Sequence, residues 1–155
     1  MSKIKLLSIG IAATALASID NLIKDKIEDN RINNGVIKKT KGFAEIEKHH
    51  NKGIPLNKLD GHTKEITAVS AAVLAAHAVN TGAQAINDTD SLSDIANTLI
   101  LGGAISNVYD RIARGYVVDY LKIGKKRAIY NLSDFMIIGG VVLSFINALF
   151  NNKTD

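Results

Sequence analysis

Two carboxylates, Asp119 and Asp134, sit in the most informative stretch of the chain, in Tyr116-Val117-Val118-Asp119-Tyr120 and Asn131-Leu132-Ser133-Asp134. Two carboxyl groups that share a site cannot both ionise cheaply, so one keeps its proton. The ionised member can take a proton from water while the neutral member gives one to a scissile carbonyl, and the pair titrates as one unit. A helix N-cap at Asn131 would place Asp134 near the positive end of that helix and favour its charged form. In an alternating strand Asp119 shares a face with Val117 and Leu121, where desolvation favours the neutral form. On this local chemistry Asp134 is the base and Asp119 the acid. The plainer alternative makes Asp134 a capping-box residue and Asp119 an exposed strand carboxylate.

Further polar residues could support such a pair. Asn51, Asn107 and Asn131 can orient carboxylates or a bound peptide through their amides. Asp20 and Lys24, like Asp110 and Arg114, are four apart, the spacing of a local helix ion pair. His49-His50 have no carboxylate or histidine following at ligand spacing, and His77, alone in an apolar stretch, reads as a hydrogen-bonded packing residue. The chain has no cysteine, which excludes disulfides, thiolate metal sites and a cysteine nucleophile.

The elements that must hold these residues are mostly helices. A chain of 155 residues rich in Ala, Ile, Leu and Gly, with one proline, favours packed helices in a single domain, 1–155. Four stretches free of charge, Leu6 to Ile19, Ile66 to Ile86, Ile95 to Tyr109 and Phe135 to Asn152, predict helices over about 3–26, 63–86, 91–114 and 133–151. A membrane span needs about 20 apolar residues, and only the second stretch is comfortably that long. The start resembles a secretory signal, but Asp20 and Lys24 follow at once, so it is read as a retained first helix. Apolar–polar alternation around turns at Lys41-Gly42 and Gly124-Lys125-Lys126 predicts β-hairpins over about 35–50 and 115–130. In an up-and-down chain both hairpins emerge at one end. The expected fold is mainly α: a four-helix bundle of transmembrane type, with a small antiparallel β-sheet capping one end.

Gly102-Gly103-Ala104 followed by Asn107-Val108-Tyr109-Asp110-Arg111, then Val118-Asp119-Tyr120 and Asn131-Leu132-Ser133-Asp134, resembles signal peptidase II, the lipoprotein signal peptidase family. Asp20-Asn21-Leu22-Ile23-Lys24 and Asn51-Lys52-Gly53 match two more of its motifs in the same order. The resemblance implies an aspartic endopeptidase, with Asp119 and Asp134 catalytic, that cuts prolipoproteins before a diacylglyceryl-modified cysteine. Its partners would be that substrate and membrane lipid, with no nucleic acid. The enzyme would be a monomer without metal or organic cofactor, multi-pass in the bacterial inner membrane. Arg111 would lie beside the pair, and Asp20 with Lys24 would form a polar anchor near the membrane interface.

The chain departs from the family pattern in three ways. Ser106-Asn107 stands where Gly-Asn is common, a small change for packing. Gly53-Ile54-Pro55-Leu56-Asn57 replaces the usual small and aromatic residues after Asn51. Charge is the third: of 19 Lys and Arg, ten lie from Lys24 to Lys64 and six from Arg111 to Arg127. The positive-inside rule puts those ends in the cytoplasm, whereas the family's site faces the outer surface. With the low mean hydropathy of +0.09, this leaves an alternative: a divergent or solubilised relative that binds lipidated peptide or a partner without turnover. A soluble basic bundle touching nucleic acid is a third reading, opposed by the lack of interleaved aromatics.

Overall fold

The structure, a computed structural model, describes residues 2–30, 35–39, 44–54, 59–87, 91–124 and 128–151. The expected turn at Lys41-Gly42, Lys125-Lys126 of the second turn and the Pro55-Leu56-Asn57 segment lie outside them. Among the described residues four α-helices are present: α1 (Ser2–Glu28), α2 (Thr63–Ile86), α3 (Ser91–Ala113) and α4 (Leu132–Asn151). Four strands accompany them: β1 (Gly35–Lys39), β2 (Ala44–Asn51), β3 (Val117–Ile123) and β4 (Ile129–Tyr130).

The ends of the elements follow from particular residues. α3 stops at Gly115, whose φ of +79° is the left-handed conformation that closes a helix and that glycine adopts without steric cost. The chain turns there directly into β3. α4 starts with a reciprocal capping box: Asn131 Oδ1 accepts the Asp134 N–H at 2.9 Å, and Asp134 Oδ2 accepts the Asn131 N–H at 3.1 Å.

The strands form one antiparallel sheet in the order β1-β2-β3-β4, so the two hairpins join through β2 and β3. A bulge between Ile46 and His49 shifts the β2–β3 register and sets His49 opposite Asp119 and Asn51 opposite Val117. Lys122 ties the strands together, 3.6 Å from Glu45 and 3.1 Å from Glu47. The sheet is fastened to α1 by Lys48, which donates to the Glu28 and Asn30 carbonyls at 2.8 and 2.7 Å. These are carbonyls at and just past the end of the helix, where a cation is favoured. His50 adds a 2.7 Å contact to Glu28 and stacks on Tyr116 with ring centroids 4.1 Å apart.

Helix α3 packs against α1, α2 and α4. Its glycines allow the close approach: a Cβ on Gly103 would come 2.5 Å from the Ser133 carbonyl oxygen and 2.8 Å from Ile137 Cγ1. One on Gly102 would meet the Ala13 carbonyl at 3.1 Å. Small residues at helix contacts are the packing mode expected in lipid.

Polarity is distributed inside out. Asp20, Lys24, Ser106, Asp110, Asn131 and Ser133 are completely buried, while Leu7, Ile11, Val73, Val79, Phe145 and Phe150 are exposed. An exposed apolar belt around a polar interior is costly in water and favourable in a bilayer. Among the described residues three helices are long and apolar enough to cross a membrane: Lys3–Glu28, Thr63–Ile86 and Leu132–Phe150. The uncharged runs alone marked only the second as long enough, because the first and last helices extend beyond them. His77 differs from its expected role: its Nε2 is buried without a hydrogen-bond partner among the described residues.

Candidate active site

Asp119 and Asp134 line one cavity of about 400 Å³ at the sheet end of the bundle. Asn51, Asn107 and Arg111 supply further polar wall, and Val117, Ile129, Ile137 and Ile138 are among its apolar lining. Strand β3 delivers Asp119, the first turn of α4 delivers Asp134, the last turns of α3 deliver Asn107 and Arg111, and the end of β2 delivers Asn51.

Each carboxylate oxygen of the pair accepts a hydrogen bond. Asp119 Oδ1 accepts from Asn131 Nδ2 at 2.8 Å and Asp119 Oδ2 from Asn51 Nδ2 at 3.0 Å. Asp134 Oδ1 accepts from Asn107 Nδ2 at 3.1 Å, and Oδ2 takes the backbone N–H of Asn131. Asn131 therefore bridges the two acids. The amides are themselves held: Asn51 Oδ1 accepts the Gly53 N–H at 3.1 Å, a local turn that leaves its NH2 free for Asp119. Asn107 Oδ1 accepts from Lys24 Nζ at 3.0 Å and from Asn131 Nδ2 at 3.2 Å, which aims its own NH2 at Asp134.

Burial decides the protonation of Asp119. Loss of solvent is the largest influence and the nearby charge of Asp134 the second, and against the two amide donors they push its carboxyl up to about 7. At neutral pH a large fraction of Asp119 thus carries a proton it can donate.

Arg111 donates from Nη2 to the Gly53 carbonyl at 2.8 Å. Its Nη1 is buried with no hydrogen-bond partner among the described residues. A guanidinium with a donor to spare beside a cavity suits an acceptor such as a carbonyl or a phosphate oxygen.

Asp20 and Lys24 do form the pair that their spacing allows, at 2.9 Å, but both are fully buried instead of on the helix surface. Lys24 Nζ also reaches Asp110 Oδ2 at 3.0 Å and Ser106 Oγ at 2.9 Å. Asp110 and Arg114 pair at 2.9 Å as expected, and Arg114 also reaches Asp25. Asp110 does more than that, since it accepts the Val118 N–H at 3.1 Å and so fixes the start of β3 beside Asp119.

Three residues that sequence reasoning passed over complete this network. The Ser106 hydroxyl is within 2.7 Å of Asp20 Oδ2, so the residue read as a packing change carries a hydrogen bond. Ser133 Oγ also donates to Asp20. The Tyr120 hydroxyl donates to Asp20 Oδ1 at 3.0 Å. Tyr120 and Ser133 stand inside the motifs and Ser106 beside one, but nothing in the sequence marks their meeting with Asp20. Among the described residues no group of three or more His, Asp or Glu is placed so that it could hold a metal ion.

Chemically, the cavity offers a protonated acid, a second carboxylate at a helix N-terminus, fixed amides and a cation. That set can activate a water and polarise a carbonyl without a metal ligand sphere.

Comparison with known proteins gives the same direction. A family model described as signal peptidase (SPase) II matches residues 12–150. The lipoprotein signal peptidase of Bacillus pumilus is 30% identical over 146 residues, covering 92% of this chain and 93% of that one. That of Moorella thermoacetica is 29% identical over 133 residues, 86% and 87% of the two chains. The lipoprotein signal peptidase of Caldicellulosiruptor bescii is 51% identical over 55 residues, 36% of each. A bacterial membrane enzyme structure obtained by the in meso method superposes with a TM-score of 0.80 at 24% identity, covering 95% of this chain and 90% of that one, which establishes the shared fold.

Proposed function

The chain belongs to the signal peptidase II family, and from that premise we propose that it is a lipoprotein signal peptidase, working as an aspartic endopeptidase within the membrane. The observation that carries the proposal is the meeting of Asp119 and Asp134 at one cavity, bridged by Asn131.

In this reading the Asp134 carboxylate removes a proton from a water in the cavity, and the oxygen attacks the scissile carbonyl carbon. Asp119 gives its proton to the carbonyl oxygen, so a neutral diol forms and the two acids exchange protonation states. On collapse Asp134 protonates the leaving nitrogen as the C–N bond breaks. Asp119 takes back a proton from the diol, and the pair returns to its starting state with one proton shared.

Burial of Asp119 supports its role as the acid. The position of Asp134 in the first turn of α4, accepting a main-chain N–H, supports its role as the base. The spare donor of Arg111 suits a carbonyl of the bound peptide or a phosphate oxygen of lipid. The apolar cavity wall and the exposed apolar belt suit a substrate that arrives through lipid, which for this family's named activity is a prolipoprotein carrying a diacylglyceryl cysteine. The same belt and the three long apolar helices support a multi-pass membrane protein, and the bacterial inner membrane is the setting that the family's named activity implies.

Incubating the purified full chain with a diacylglyceryl-modified precursor, and with its unmodified form, tests the proposal by gel shift. Cleavage of the modified precursor alone, lost in Asp119→Asn and Asp134→Asn, is expected. Binding of the precursor without cleavage by the wild-type chain would overturn it in favour of a non-catalytic relative.

A further inference from the structure

Tyr120 follows Asp119 on β3, so its side chain leaves the strand on the opposite face, towards the helices. Only 7% of it is exposed, and it is absent from the cavity lining. Its hydroxyl is engaged in both directions. It donates to Asp20 Oδ1 at 3.0 Å and accepts the backbone N–H of Leu132 at 3.0 Å. A carboxylate can only accept, so the direction of the proton is fixed when Asp20 is ionised.

Leu132 is the first residue of α4, and its N–H is one of the helix's orphan donors. Asn131 does not supply that group, because its side-chain oxygen is given to the N–H of Asp134. Asp20, in turn, is held by Lys24, Ser106 and Ser133. A continuous set of bonds therefore runs from α1, through one phenol on β3, to the start of the helix that carries Asp134.

Resting on the reading of Asp119 and Asp134 as the catalytic pair, we propose that Tyr120 is a positioning residue whose hydroxyl sets the start of α4 against β3 and so fixes how closely the two aspartates share a proton. The ring fills space that a phenylalanine would fill equally well. What the hydroxyl adds is the link between two elements, each carrying one aspartate, and a small misplacement there is amplified in rate.

Tyr120→Phe removes the hydroxyl alone. Leu132→Pro cuts the same bond from the other side, at a helix position where proline is favoured and its missing N–H costs nothing intrahelical. In the full chain, with a diacylglyceryl-modified precursor, each is expected to lower kcat by roughly ten- to a hundredfold while KM stays within about twofold. Each is also expected to move the alkaline limb of the kcat profile to lower pH, because carboxyls held less closely couple less. Wild-type kcat in Tyr120→Phe overturns the inference, and so does a reduced kcat with an unmoved pH profile, the mark of lost folding alone. Should Tyr120→Phe fail to fold, an unmoved profile in Leu132→Pro overturns it equally. Asp119→Asn and Asp134→Asn in the same assay separate the two levels. If they are inactive and Tyr120→Phe matches the wild type, only this inference falls. If they cleave, the catalytic reading beneath it falls as well.

Discussion

Asp119 and Asp134 are joined by two N–H groups of a single residue: Asn131 gives its side-chain amide to Asp119 at 2.8 Å and its backbone N–H to Asp134 at 3.1 Å. The capping box that starts α4 and the bridge between the acids thus share one bond, from the Asn131 backbone N–H to Asp134. A capping role for Asp134 does not compete with a chemical one, since the helix cap is what aims its carboxyl group.

The two contributions of Asn131 separate by substitution. Serine caps helices about as well as asparagine but has no amide to reach Asp119. Asn131→Ser should therefore be more stable than Asn131→Ala by about 1 kcal/mol. Both should lose at least about tenfold in kcat, the effect of one misplaced catalytic group. Thermal melting in detergent and precursor cleavage, measured side by side, check the pair of outcomes.

Activity should depend on a proton near neutrality. With Asp119 raised to about 7, the shared proton is present below that pH and leaves above it. The rate constant kcat/KM should fall by about tenfold per pH unit on the alkaline side, with the bend near 7. A profile flat from pH 6 to 9 would contradict the assignment of Asp119 as the acid.

The same shift has a consequence for stability. The folded carboxyl of Asp119 holds its proton up to about 7, against an ordinary value of 3.8, so between those values the folded chain binds more protons than the unfolded one. Its contribution is most favourable below pH 4 and is lost as pH rises through 7. The difference in Tm between Asp119→Asn and the wild type should therefore become more positive from pH 4 to 8, whatever its sign at the start. Melting curves across that range measure it.

Much of this arrangement was legible in sequence, and what was not has a physical reason. Hydropathy and alternation gave the four helices and the small sheet, because both signals are local. The motifs around Asn51, Asn107, Arg111, Asn131, Asp119 and Asp134 named residues that the fold gathers around one cavity. The roles of Ser106, Tyr120 and Ser133 were hidden, since each depends on meeting Asp20 from a different element, 86 to 113 positions away. The burial of Asp20 and Lys24 was not legible either, because helix spacing shows which residues are neighbours, not which face is buried. The unpartnered Nε2 of His77 also had no sequence signal, as it reflects only what the neighbouring helices fail to offer.

Lys24 is the cation on which the buried network closes, with four oxygen atoms within 3.0 Å of its ammonium. Replacing it by methionine leaves Asp20 without a cation, while Asp110 keeps Arg114 as its partner. Lys24→Met should cost about 3–5 kcal/mol, and adding Asp20→Asn should recover part of the loss. Arginine should not substitute freely, since its planar fork does not match a compact cluster of four acceptors. Melting of the single and double variants in detergent decides the matter.

The central claim is that two aspartates act as one unit, and the most direct measurement is the single-turnover cleavage rate of Asp119→Asn, Asp134→Asn and the double variant. Groups that act together are not additive, so each single change should remove as much activity as both, at least about a thousandfold. Cleavage at the wild-type rate by either single variant, or losses that simply multiply in the double, would contradict it.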